Sequence, residues 1–329
     1  MKVRLGIFLL IGLALALSAC GNSGGCSITP ANVIAVTGGS MSSSSCSGSS
    51  NNGSSSSGEF TSFAAMPKPG TSTLSGITIE GSYTAPGPAF NVISHSAPSQ
   101  GSGTVTLTVD GNGNATALTI NGAQSSVTFS LANGSVAGVL PPNYVFAESA
   151  DRQQLAIAAN YSAQNFNYQT YGIWATGLGT GLGNIGAISA GAVTPGGSVP
   201  TVGTATYTGT AGGLYVDPAG AQWLATGTAT LIANFASHSV AYSTNGTSAT
   251  SATTGTALAN PGILNMQGTL TYSAGMNNFS GAATTSALSG TAQGRFYGPN
   301  ANEAGGTFAL TNSTSNAQGY TGAFGATTP

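Results

Sequence analysis

Polar and apolar positions alternate along much of this chain. Thr104-Val105-Thr106-Leu107-Thr108-Val109 repeats with a period of two, Asp110-Gly111-Asn112-Gly113-Asn114 interrupts the pattern, and Ala115-Thr116-Ala117-Leu118-Thr119-Ile120 resumes it. Such a period sends alternate side chains to one face of a strand, and an Asp-Gly break between two such runs predicts a β-hairpin. Ile77 and Ile79 alternate with Thr78 and Glu80. Val127 to Phe129 and Tyr144 to Phe146 predict further short strands, and Tyr168 to Trp174 an aromatic one. Gln153 to Tyr161 reads as a strand or a helical turn. Gly177 to Gly197, rich in glycine and without charge, reads as a loop.

Beyond Thr201 strand candidates recur with glycine punctuation. They are Thr204 to Thr210, Gly227 to Phe235, Ser237 to Ser243, Ile263 to Tyr272, Asn278 to Ala283, Leu288 to Tyr297, Gly305 to Thr311 and Gln318 to Phe324. Leu264, Met266, Leu270 and Tyr272 share one parity, so one face points into a core. Strands of this number and length predict an antiparallel up-and-down barrel, which leaves no edge unpaired. A membrane-spanning barrel would need an outward apolar band between aromatic girdles. Here the exposed parity is Thr, Ser and Asn, and the last strand ends without a terminal aromatic. The predicted fold class is all-β: a β-rich domain over residues 59–199, then an eight-stranded barrel over 200–329.

The N-terminus has another pattern. Lys2 and Arg4 precede an apolar run from Leu5 to Leu17, and Leu17-Ser18-Ala19-Cys20 follows at once. A bilayer core takes about 20 apolar residues, so this run is too short to span and has the dimensions of a signal-peptide core. The small residues before Cys20 resemble the lipobox of bacterial lipoproteins. That resemblance implies a diacylglycerol on the Cys20 thiol, cleavage before it (residues 1–19 removed) and acylation of the new amine. Two or more acyl chains anchor stably to a bilayer where one binds only marginally. Gly21, not Asp, follows the cysteine, which in many Gram-negative bacteria permits transport to the outer membrane. Residues 20–58 are dominated by Ser and Gly and read as a flexible tether.

Composition narrows the chemistry. Charged residues make up 4% of the chain, against about 25% in an ordinary domain. After cleavage, seven acidic and three basic side chains leave a net charge of −4. Nucleic-acid binding is excluded, since it needs clustered Lys and Arg. Fifty glycines argue against helices, because Gly costs about 1 kcal/mol relative to Ala in a helix interior. Cys26 and Cys46 lie before the first domain, where a bond between them would close only tether. No Cys/His group has zinc spacing, so no metal is expected. Gly181-Leu182-Gly183-Asn184-Ile185-Gly186 matches G-x-G-x-x-G, yet no acid falls at 200–210 and Gly191, Pro195, Gly196 and Gly197 break any following helix. A dinucleotide site is therefore not supported. His95 and His238 are the only histidines, each between serines. Serine is so abundant that a Ser-His pairing carries little information, and the chain is read as a non-enzyme without a cofactor. Haem ligation by His238 or a tyrosine is the one cofactor alternative.

Gly203-Thr204-Ala205-Thr206-Tyr207-Thr208-Gly209 and Gly227 to Phe235 resemble the opening strands of the β-barrel domain of transferrin-binding protein B. Gly294, Phe296, Tyr297, Gly298, Pro299, Glu303, Gly305, Gly306 and Phe308 are similar to that family's hairpin, in which an aromatic strand enters a Gly-Pro turn before a Gly-Gly-x-Phe strand. The expected roles are structural. Gly298-Pro299 makes the turn, Glu303 accepts from turn amides or pairs with Arg295, Gly305 and Gly306 supply positive φ or close packing, and Phe296 and Phe308 face the interior. Tyr171-Gly172-Ile173-Trp174 resembles the end of the sheet-like handle that precedes such barrels, which makes residues 59–199 handle-like. The resemblance implies a lipid-anchored protein of the outer membrane that faces the cell exterior and binds a host or environmental protein, or a haem or iron carrier. This chain has one handle and one barrel where transferrin-binding protein B has two of each, and its few charges make transferrin itself a doubtful ligand. The alternative is a passive surface or adhesion protein. An exposed patch of Tyr168, Tyr171 and Trp174 would favour a ligand contact there; burial between handle and barrel would weaken it.

Overall fold

A computed structural model describes residues 56–87, 91–140 and 143–329. The expected signal peptide, Cys20, Cys26, Cys46 and the expected tether to residue 55 lie outside the described residues. Two β-sheets account for the fold. The first contains β1 (Ser56–Glu59), β2 (Gly70–Thr84), β3 (Ser94–His95), β4 (Ser99–Val109), β5 (Ala115–Asn121), β6 (Ser126–Ser130), β7 (Val136–Leu140), β8 (Tyr144–Glu148), β9 (Leu155–Ala159), β10 (Gln169–Ala175) and β11 (Leu182–Gly191). Its order is β6-β5-β4-β2-β11-β10-β9-β8-β7, with β1 and β3 also on β2. β1 begins inside the segment expected to be tether and runs parallel to the start of β2.

The predicted hairpin is β4–β5, and its break works as a turn because Asp110 Oδ1 accepts from the Asn112 amide at 2.8 Å and the Asn114 amide at 2.9 Å. Gln153 to Tyr161 resolves as strand β9. The expected loop from Gly177 to Gly197 is corrected: Leu182–Gly191 is the central strand β11, laddered to β2 on one side and β10 on the other. Both faces of β11 are covered, so it packs small residues where an exposed strand would show alternation. This ladder occupies most of the G-x-G-x-x-G stretch, and only a single 3-10 turn at Gly196–Ser198 follows it, not an α-helix.

The sheet curls so that its two edge strands, β6 and β7, approach each other across the turn at Leu131–Asn133 without a ladder between them. Its concave side carries a core that includes Phe63, Leu74, Val105, Ile120, Phe129, Trp174 and Ile188.

The second sheet is a closed antiparallel barrel in sequence order: β12 (Thr204–Val216), β13 (Gln222–Asn234), β14 (Ser239–Ser251), β15 (Gln267–Thr271), β16 (Phe279–Thr284), β17 (Ser289–Tyr297), β18 (Glu303–Thr311) and β19 (Gly319–Thr327). β19 pairs with β12 to shut it. The eight sequence candidates map one to one onto these strands. Inward positions fill the lumen with Tyr207, Tyr242, Phe279, Phe296, Phe308 and Phe324. Phe296 lies 5.1 to 6.0 Å, ring to ring, from Phe279, Tyr272, Phe235 and Tyr207. Leu264, Met266, Leu270 and Tyr272 are all buried, as their parity predicts. On β13 the outward residues Thr228, Ile232 and Asn234 are exposed while Ala229, Leu231 and Ala233 are buried. An apolar lumen with a mostly polar outside inverts the arrangement of a membrane-spanning barrel.

β18 and β19 are buried on both faces, because the barrel packs this side against β10, β11 and β2 of the handle sheet. Handle and barrel thereby form one lobe.

Candidate functional site

The aromatic strand β10 sits where the two sheets meet. Pleating sends Tyr171 toward the barrel and Trp174 to the concave interior of the handle, since odd separations fall on opposite faces. Trp174 is 1% exposed. Its Nε1 donates to Ser125 Oγ at 2.9 Å, and that hydroxyl donates to Glu80 Oε2 at 2.9 Å. Glu80 also accepts from the backbone amides of Ala123, Gln124 and Ser125, so a fully buried carboxylate pins the β5–β6 turn. Gly186 is the β11 partner of Trp174, and a Cβ there would lie within the indole ring. Tyr171 is 2% exposed, with its hydroxyl 2.9 Å from Tyr144 Oη and 2.6 Å from Thr210 Oγ1 of the barrel. Burial holds the Tyr171 hydroxyl well above its ordinary pKa. Tyr168 is half-buried against the turn after β17: a Cβ on Gly298 would sit 2.7 Å from its ring. Of the two outcomes open for the aromatic patch, the structure shows burial: Trp174 lies in the handle core, Tyr171 in the apolar cluster between handle and barrel, and Tyr168 packs on a turn.

The hairpin motif lies at the junction of β17, its turn and β18. Phe296 and Phe308 are fully buried in the lumen. Gly298 has φ +83°, which a residue with a side chain seldom adopts, and Pro299 is exposed on the turn. Gly305 and Gly306 have no positive φ and serve close packing; a Cβ on Gly305 would lie 2.7 Å from Ser189 Oγ of the handle. Gly294 is equally tight, with its Cβ position 2.7 Å from the Gly305 carbonyl. Glu303 bonds neither its own turn nor Arg295, whose Nε donates to Asn278 Oδ1 at 2.8 Å. Its carboxylate reaches into the handle and accepts from the amides of Asn167 at 2.6 Å and Tyr168 at 3.1 Å. It is 1% exposed, and burial pushes its pKa up to about 7 against the pull of these donors.

Around this latch lie further contacts, made by Tyr297 and Gly298 of the motif and by Gln169 and Gln293, which the sequence did not single out. Tyr297 Oη donates to the Ser189 carbonyl at 3.0 Å, Gln169 Nε2 to the Ala304 carbonyl at 3.3 Å and Gln293 Nε2 to the Thr78 carbonyl at 2.9 Å. The Gly298 amide donates to the Ala192 carbonyl at 2.8 Å. One signal was available: Gln169 and Glu80 each interrupt an otherwise apolar or hydroxylated strand, where a polar side chain needs a partner. His95 lies on β3, with Nε2 3.1 Å from the Gln318 carbonyl across the same interface. His238 has φ +52° between β13 and β14 and packs edge-on to Tyr272. Among the described residues no group of three His, Cys, Asp or Glu is placed to hold a metal ion.

These features define an all-β lobe: a curled sheet locked by buried polar contacts to a closed eight-stranded barrel. Residues 199–328 match the family model for the C-lobe and N-lobe beta barrels of Tf-binding protein B. This part of the chain is therefore similar to that family's barrel domain. Similar solved structures include a transferrin binding protein B double mutant from Haemophilus parasuis Hp5, at 13% identity and TM-score 0.40, over 80% of this chain and 76% of that one. Transferrin binding protein B of serogroup B Neisseria meningitidis is 13% identical, with TM-score 0.37, over 80% and 77%. A protein described as a surface lipoprotein is 11% identical, with TM-score 0.41, over 77% and 98%. No curated protein sequence matches the chain.

Proposed function

We propose that this chain is a lipid-anchored outer-membrane protein that displays a rigid handle-and-barrel lobe to the exterior and binds an extracellular ligand there. The observation that carries the reading is the barrel domain at 199–328 behind a lipobox-like Leu17-Ser18-Ala19-Cys20. The anchor is Cys20, and the tether lifts the lobe off the bilayer. The ligand surface lies on the loops and outer strands, because Tyr171 and Trp174 are buried and Tyr168 is packed on its turn. The ligand is an extracellular protein or a haem or iron carrier, and the reaction chemistry is binding without catalysis.

The passive-coat alternative keeps one observation in its favour: the candidate aromatic anchors Trp174 and Tyr171 are committed to the handle core and to the cluster between handle and barrel. Intact cells decide between them. Metabolic labelling with a palmitate analogue should mark the chain and lose the mark with Cys20→Ser, and external protease should remove the lobe from whole cells. Crosslinking on intact cells followed by mass spectrometry, with a haemin titration read in the Soret band, should return one saturable partner. A labelled, exposed lobe that captures nothing saturably would leave the coat reading in place.

A further inference from the structure

We propose that the concave interior of the handle sheet is a binding site for the end of an uncharged apolar chain of the fatty-acyl class, admitted between β6 and β7. The site is independent of the receptor reading.

A cavity of about 160 Å³ lies on this inner face. Register shows why it is there. Ala137, Ala147, Ala156, Ala158 and Gly172 point inward from β7 to β10, opposite Leu107, Leu118 and Phe129 from β4 to β6. Apart from Val139 and Val145, which share this face, the wall is built from methyl groups and hydrogens, so the opposing leucines do not fill the space between them. Native interiors seldom leave such a void, since close packing is the norm. The lining holds no charged side chain. Several of its hydroxyls are engaged: Thr170 Oγ1 donates to the Ala159 carbonyl at 3.0 Å, Thr116 Oγ1 to the Thr108 carbonyl at 3.2 Å, and Ser135 Oγ accepts from the Ser130 amide at 3.1 Å. The lining thus offers a polar headgroup little and no charge.

The entrance is separate support. β6 and β7 are the unpaired margins of the sheet. Leu131, Val136 and Val139 line the cavity there and are 47%, 52% and 46% exposed. Clustered exposed aliphatic side chains beside an apolar cavity mark a ligand entrance more than a free surface. Size sets the class of ligand: a dry aliphatic cavity of about 150 Å³ admits a molecule the size of benzene. This one accepts the end of a chain, with the remainder lying over the rim and the polar end in water.

The test uses the full-length chain carrying Cys20→Ser, so that no acyl group of its own is attached. It is titrated with cis-parinaric acid, a linear fluorescent fatty acid, with n-dodecanol as an uncharged competitor. The expected result is saturable binding at one probe per chain, displaced by dodecanol. Ala158→Phe and Ala147→Leu fill the cavity from two strands, and each should weaken binding at least tenfold while keeping the melting temperature of the parent. Absence of saturable binding, failure of dodecanol to compete, or unchanged binding in a folded filled variant would overturn the proposal. The chain with Cys20 intact and lipidated, titrated alongside, fixes the source: full binding means an external ligand, and no free capacity means that its own acyl chain is the occupant.

Discussion

Glu303 joins barrel to handle through a buried carboxylate, and its replacement by glutamine has a calculable pH signature. In the unfolded chain this group titrates near 4.5, and in the lobe burial raises that to about 7. Between these values the folded state holds a proton that the unfolded state has released. Stability therefore falls as pH rises through this window, is unaffected by the group below it, and carries the full penalty above it. A displacement of about 2.5 units at 1.36 kcal/mol each gives about 3 kcal/mol. Glu303→Gln has no such titration. It loses carboxyl bonds to the Asn167 and Tyr168 amides and sets its own amide against the Tyr168 N–H, so the test is the change of relative stability with pH and not its value at any one pH. At pH 5 both side chains are neutral. By pH 8 the variant should have gained about 3 kcal/mol relative to the parent, whatever its starting point. Paired urea melts at pH 4.5, 6 and 8 measure this difference, in which every other titrating group cancels. A flat difference would show that burial does not govern the carboxyl. A difference of opposite slope would show that the Asn167 and Tyr168 amides hold the charged form, and either result refutes the reasoning.

Other substitutions test the packing. Gly186→Val places methyl groups inside the Trp174 ring, and overpacking of this kind should cost about 1–3 kcal/mol in thermal melts and shift the tryptophan emission. Phe296→Ala removes the ring at the centre of four aromatic neighbours and should cost about 3–5 kcal/mol in urea unfolding; a loss under 1 kcal/mol would mean that the lumen collapses freely around it. Ser125→Ala removes the hydroxyl between Trp174 and Glu80 and should cost about 1–3 kcal/mol, because the indole N–H and a buried carboxylate each lose a partner.

The barrel was legible because its strands have one wet face and one dry one. Ala229-Leu231-Ala233 against Thr228-Ile232-Asn234 is the kind of contrast that period-two reasoning detects. β11 was not legible for the same reason: with Gly186, Ile188 and Ala190 facing the handle core and Ala187 and Ser189 facing the barrel, neither face offers solvent-exposed polar residues to compare. The fate of the aromatic strand was half visible. Tyr171 and Trp174 differ by three positions, so in a strand they cannot form one patch, and this parity already argued against a shared contact surface. What no local pattern reveals is that a second sheet covers Tyr171, since that depends on β18 and β19, far along the sequence. Glu303 was recognised as a hydrogen-bond acceptor, but its donors come from Asn167 and Tyr168, more than a hundred residues earlier.

The closing pair of the barrel, β12 with β19, joins the first and last of its eight strands, and β19 also packs on β10 and β11. A polypeptide emerging from a ribosome or threading through a translocation pore cannot complete this lobe until β19 is out. Up to that moment β12 lacks its second neighbour and the handle lacks part of its cover. The barrel seam and the cover of the handle therefore both wait on the same last strand.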